Sequence, residues 1–427
     1  MAIFALTACV VVKNWKVDRL GINAYLNSVY LWMMFILVAL LQIVPLPDFV
    51  VALLSPTSFD LFYSVSADWY FLSVDPNQSM VSFTKLLSFF CLFICVLLLV
   101  NTEQRIRMLL LTIVAAGTFQ ALYGVFELVL GSSTSLVFGF PVSEAATGSF
   151  VYQNHYANFL MLSLAAGVGL TVTSLEKSDI TSQSEHAQSF ASTLLNSNAL
   201  VRSCIVIMII GLAMSRSGMG NTAFFLSIAA VGAIAFVLLK NKSKGLTVLI
   251  IGVFIIDLFI VSAYFGLERV KERLAQTTVI QETRDEVVRD AYPIISDFPL
   301  FGSGGGSFYS TFPSYQQSEV TAFYDQLHND YLQFLIEYGV IGSFILFSIF
   351  VFCIYKSMRA MHKRRNSIFK GSAYACLMVF MGMGLHMFVD FPLQTYANAS
   401  YFVIFLALSI IINNLKIHKP SKLSRTG

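Results

Sequence analysis

Tyr331 to Tyr355 reads YLQFLIEYGVIGSFILFSIFVFCIY, an apolar run with a single charged side chain, Glu337. A helix of that length exceeds the roughly 30 Å of hydrocarbon in a bilayer, and lipid offers the backbone no hydrogen-bond partner, so such a run crosses as a helix. Similar runs place spans at Asn27 to Val44, Leu86 to Val100, Met108 to Leu130, Tyr156 to Leu175, Ser203 to Met214, Ala223 to Leu239, Thr247 to Phe265, Gly371 to Val389 and Ala399 to Leu415. Ala2 to Val12 is apolar but too short to span, and it reads as an interfacial turn or the end of a truncated helix. Of the 427 residues 56% are hydrophobic and 12% charged, about half the charge of a soluble chain. A soluble enzyme is excluded, and an all-α polytopic membrane protein is expected.

Charge sets the expected orientation, because basic loops stay in the cytoplasm. With the first full span running outward, 20 of the 27 Lys and Arg fall in inner loops, including Arg105, Arg107, Arg202 and the cluster from Lys356 to Lys370. Lys85, Arg216, Arg269, Lys271, Arg273, Arg284 and Arg289 fall outside. The domains read as a first bundle over 1–265, a large outer loop over 266–330 and a last bundle over 331–427 with a cytoplasmic tail. Pro45 to Lys85 reads as short amphipathic pieces at the interface, and Glu176 to Arg202 as a polar connector. A net charge of +3 without a basic, aromatic-interleaved patch argues against nucleic acid. The six cysteines show no metal-ligand or disulfide spacing and read as packing residues.

The outer side carries the chemistry-bearing residues. Arg216, in Ser215-Arg-Ser-Gly218, lies between two spans with almost no loop, where a permanent charge requires an anionic partner, either a protein carboxylate such as Glu127 or Asp390 or a substrate phosphate. Arg284 and Arg289 precede the turn Pro299-Leu-Phe-Gly-Ser-Gly-Gly-Gly306, where the amides around Gly304 are free of side-chain hindrance and suited to an anion. An ordinary i,i+4 ion pair is an equal reading for Arg289. His328 stands where the outer loop enters a span, followed by Asn329, Asp330 and Glu337. Asn154 and His155 open another span, and His386 stands four residues before Asp390.

Several of these residues carry a resemblance. Ser215-Arg-Ser-Gly218, Arg284 fifteen residues ahead of Pro299, and above all His328 and Gly339 in an H-x10-G spacing resemble the O-antigen ligase and Wzy-type polymerase superfamily of bacterial inner-membrane glycosyltransferases. The resemblance implies a GT-C-like bundle of about 10–12 transmembrane helices with a large periplasmic loop over the active site. It implies transfer of a glycan from undecaprenyl diphosphate to an acceptor hydroxyl, either lipid A core or a growing polysaccharide, without cofactor or metal. Matched residue by residue, Arg216 and Arg284 correspond to the diphosphate-binding arginines and His328 to the catalytic histidine, with Arg289, Asn329, Asn154, His155 and Gly304 as further substrate contacts. The aromatic common four residues after the arginine is Val288 here, and ten spans are fewer than the usual twelve. Of the jobs in the superfamily, the ligase reading is preferred to the polymerase; a lipid-linked oligosaccharide flippase is the alternative from another class. Against the flippase, Asp257 is the one clear mid-span charge, whereas transporters place charges around the midplane.

Overall fold

The computed structural model describes residues 25–131, 134–137, 139, 144–181, 197–238, 252, 286–317 and 323–415. Apart from isolated bridge residues, such as Leu46 with Tyr70, these residues form helices and their connections. In chain order the main helices are α1 (Leu26–Ile43), α2 (Asp48–Leu54), α3 (Pro56–Ser64), α4 (Pro76–Leu99), α5 (Glu103–Leu130), α6 (Gln153–Thr181), α7 (Ser197–Met214), α8 (Gly218–Leu238), α9 (286–297), α10 (Asp330–Lys363), α11 (Ser367–His386) and α12 (Tyr396–Asn414). Eight are long and apolar enough to cross a membrane, and α7 contributes a shorter apolar stretch. The chain is an all-α polytopic membrane protein. Nine of the ten expected spans coincide with helices; Thr247 to Phe265, apart from Gly252, and Ala2 to Val12 lie outside the described residues.

Helix starts depart from the apolar runs for a local reason. Asp75 accepts the Gln78 amide and Pro76 opens α4, so the helix begins ten residues before Leu86. Pro76 to Lys85 is therefore helix rather than a separate interfacial piece, and only α2 and α3 remain as short helices in that loop. Thr102 likewise caps the Arg105 amide and starts α5 ahead of Met108. Hydropathy marks where lipid begins; caps mark where the helix begins.

The bundle centres on α6 and α11, the two most buried spans. Small residues let them approach: a Cβ on Gly169 would stand 2.6 Å from the Gly371 carbonyl oxygen, and one on Gly382 would stand 2.4 Å from the Met161 sulfur. Because the helices alternate in direction, Gln153, Met214, Gly218, Asp330, His386 and Tyr396 all lie at one end of the bundle. Arg105, Lys363, Arg364 and Arg365 lie at the other. Cysteines placed at exposed Asp325 and Arg365 are thus expected to label from opposite sides of the membrane, Asp325 from the periplasm. Labelling of both by an impermeant reagent in intact cells would overturn that orientation.

The described part of the 266–330 loop is folded onto this end. Val287, Ala291, Ile294, Phe298, Phe308, Phe312 and Leu327 form an apolar cluster with Ile336 of α10. Residues 299–304 then run into a break in α10 at Gly339, whose φ of 62° and ψ of −171° are accessible only to glycine. There the helix loses its own acceptors and the strap replaces them: Val340 donates to the Pro299 carbonyl at 2.9 Å and Ile341 to Leu300 at 3.2 Å. In return Ser303 and Gly304 donate to Ile336 and Glu337 at 2.8 and 3.1 Å, so the backbone groups orphaned by the break are satisfied.

Candidate active site

His328 and Asp390 face each other at this end. Asn329 caps α10 through the Leu332 amide and ties its own amide nitrogen to the Phe388 carbonyl. His328, one residue earlier, is held at φ 56°. Its Nδ1 lies 3.4 Å from Asp390 Oδ1, a separation that a shift of about half an ångström closes to a strong hydrogen bond. Nδ1 is buried, while the side chain as a whole keeps 21% of its surface exposed. The edge of the ring meets Phe391, 4.7 Å between centroids.

Asp390 sits in the connection between α11 and α12 and is fully buried. Its Oδ2 accepts from Asn154 Nδ2 at 2.7 Å and lies 3.9 Å from His386 Nε2; its Oδ1 accepts the Phe391 amide. Burial acts to raise its pKa, but the facing His328, the neighbouring His386 and His155, and the hydrogen bond from Asn154 outweigh it and hold the carboxyl below its ordinary range. Asp390 is therefore an anion at neutral pH. Behind it, Asn158 and His386 Nδ1 are 2.9 Å apart, and the His155 ring stands edge-on to Phe391 at 4.8 Å. The expected substrate contacts Asn154 and His155 thus lie beside Asp390, with the Asn154 amide group engaged by Asp390 and Tyr152.

Arg216 is the second strained residue. Among the described residues Ser66, Arg216 and His328 are the non-glycine positions with positive φ, and two of these three are the leading site candidates. The serines of Ser-Arg-Ser-Gly produce this turn: Ser215 Oγ bonds the Leu212 carbonyl and accepts the Ser217 amide, and Ser217 Oγ caps α8 through Gly220. The guanidinium, 23% exposed, pairs at 3.2 Å with Glu144, whose side chain is 93% exposed. Glu144, rather than the buried acids Glu127 or Asp390, pairs with it among the described residues; Glu127 accepts instead from Ser135 and Leu136. A pair with so exposed an acid is weak and readily exchanged for another anion. Gly220 meets Ala157 and Gly211 meets Tyr156, so the Arg216 turn and the Asn154–Asp390 contact flank the same first turns of α6.

Other candidates have different surroundings. Arg284 lies outside the described residues. Arg289, 53% exposed, pairs with neighbouring Asp290 at 3.2 Å. Gly304 has φ 115°, and a Cβ there would overlap Ser73. The glycine-rich amides do face an acidic side chain, but it is internal: Gly306 and Phe308 donate to the Glu337 carboxyl group, and Gly305 to Gln42 Oε1. Asn329 spends both side-chain atoms on the cap and Phe388.

Sequence reading did not single out Asp390 as the partner of His328, although its position just past a span, four residues after a histidine, was a signal. Nor did it single out Lys85 of α4, which lines an apolar cavity of about 210 Å³ between α1, α4, α10 and α12 together with Trp32, Phe89, Tyr331 and Phe402.

The comparison with known families bears on this arrangement. Residues 203–347 match the family model described as O-antigen ligase. Over this stretch the chain is similar to that family. The matched stretch runs from α7 through the Arg216 turn and His328 to just past Gly339, whereas Asp390, Asn154 and Lys85 lie outside it. No curated protein sequence matches the chain.

Proposed function

We propose that the protein is a glycosyltransferase that moves a glycan from undecaprenyl diphosphate to an acceptor hydroxyl at the periplasmic face of the bacterial inner membrane, with lipid A core as acceptor. The observation that carries this reading is the His328–Asp390 pair. With Asp390 ionised and facing Nδ1, the neutral imidazole holds its proton there and leaves Nε2 to accept the proton of an incoming hydroxyl. Asp390 then stabilises the imidazolium that forms, and the alkoxide character developing on the acceptor oxygen drives its attack on the anomeric carbon.

The departing diphosphate concentrates negative charge, which a guanidinium fork neutralises best. Arg216 supplies that fork once phosphate replaces Glu144, and Arg284 is its expected companion. One displacement with inversion suffices, since no second nucleophile is required. The cavity beside Lys85 offers apolar walls to the lipid portion of a substrate. Arg216→Lys keeps the charge but loses the fork, so turnover should fall about 10²-fold with insertion unchanged; near-normal turnover would take Arg216 out of the diphosphate site.

The test is incubation of the purified protein with undecaprenyl-diphosphate-linked glycan and separate acceptors, measuring released undecaprenyl diphosphate. Release dependent on lipid A core supports the ligase reading. Release dependent on a second lipid-linked repeat unit would assign a polymerase, and movement of lipid-linked glycan between leaflets without release would assign a flippase.

A further inference from the structure

We propose that Lys85 is a positioning residue for the His328–Asp390 pair, acting through Gln394 and Asp330. This inference rests on the transfer reaction proposed above for its kinetic consequence, but its geometry stands independently.

Lys85 belongs to α4, which carries neither member of the pair. Its stem runs along the apolar cavity, and its ammonium donates to the main-chain oxygen of Gln394 at 3.0 Å and lies 3.4 Å from the side-chain oxygen. It also lies 4.8 Å from the centre of the Tyr396 ring. Gln394 and Leu393 in turn bind Asp330: the Leu393 amide donates to Oδ2 at 2.9 Å and Gln394 Nε2 to Oδ1 at 3.4 Å. The Asp330 amide closes the circuit, donating to the carbonyls of Met387 and Asp390 at 3.0 and 3.3 Å. Both ends of the 387–395 connection are thus tied to the first residue of α10, two residues after His328, and Lys85 ties the far end to α4.

A buried ammonium is costly unless partners surround it. Here two oxygens and an aromatic face meet it directly, and the carboxylates of Asp330 and Glu337 are the charges acting on it. Both carboxylates are themselves buried on α10. Removing the ammonium frees the Gln394 carbonyl and side-chain oxygens, which loosens the connection that carries Asp390. Misplacement by about 1 Å at a reacting group costs up to about 10²-fold in rate.

The experiment compares wild type, Lys85→Met, Lys85→Gln and Lys85→Arg in lipid nanodiscs. Turnover and donor KM are measured, and ¹⁵N-histidine NMR, with the His328 signal assigned by its loss in His328→Gln, reports the imidazole tautomer. Lys85→Met should lower kcat by at least about tenfold with donor KM little changed, and should abolish the single Nδ1–H tautomer of His328. Lys85→Arg should restore most of both. If Lys85→Met does not fold, Lys85→Gln serves, with the same expected direction. An unaltered His328 signal in the Met or Gln variant overturns the inference, whether or not kcat falls. Absence of transfer in wild type, with the tautomer change present, overturns the proposed reaction and leaves the positioning role standing.

Discussion

If the proposed transfer holds, His328→Ala is expected to lower turnover by about 10² to 10⁴-fold, while the variant inserts normally and binds the lipid-linked donor as wild type does. Proton removal belongs to the transition state and donor binding does not, so a base lost from the site changes kcat and spares affinity. Asp390→Asn is expected to follow His328→Ala: the amide keeps the shape but removes the anion that holds the Nδ1 proton and stabilises the imidazolium. The loss should be nearly the same when both are changed as when either is changed alone, because the two act as one unit. Turnover measured at matched expression, beside donor affinity by direct binding, decides the matter. Near-normal turnover in His328→Ala would remove it from the chemistry, and independent, multiplying losses would separate Asp390 from it.

Gly339→Ala should have an effect of comparable size on the folded protein rather than on the reaction. The added Cβ would stand 2.4 Å from the Leu300 carbonyl carbon and oxygen and 2.6 Å from the Gly302 nitrogen. None of these is a flexible side-chain tip that can turn aside. An alanine also resists the backbone angles at this break, at a cost of about 1–3 kcal/mol before any clash. Relief requires residues 299–304 to withdraw from the break, which strips Val340 and Ile341 of their acceptors. The expected result is a sharp fall in the amount of folded protein and in its thermal midpoint in detergent, of the order of 3 kcal/mol or more. Wild-type stability would mean that the strap does not need the break. The contrast with His328→Ala, which is expected to keep its fold and lose turnover, would separate the two ends of the H-x10-G spacing: the proposed base at one end, and at the other the glycine that admits residues 299–304.

The membrane fold was legible because lipid demands long uncharged helices, and that demand is written locally as apolar runs such as Tyr331 to Tyr355. The motif residues Arg216 and His328 were legible for a related reason, since polar side chains at the mouths of spans stand out against an apolar background. Helix starts at Pro76 and Glu103 were hidden behind polar residues, because caps rather than hydropathy decide them. The glycine-rich segment was read as suited to a ligand anion, whereas its amides serve Glu337, the carboxyl group that folding brings beneath them. Only tertiary structure could place Asp390 against His328, 62 positions away and on another connection, or bring Lys85 of α4 to the Gln394 carbonyl. Contacts between elements depend on how whole helices pack. Their sequence separation is unconstrained by any local pattern, and a buried carboxylate reads the same in the chain whether a histidine or a solvent molecule faces it.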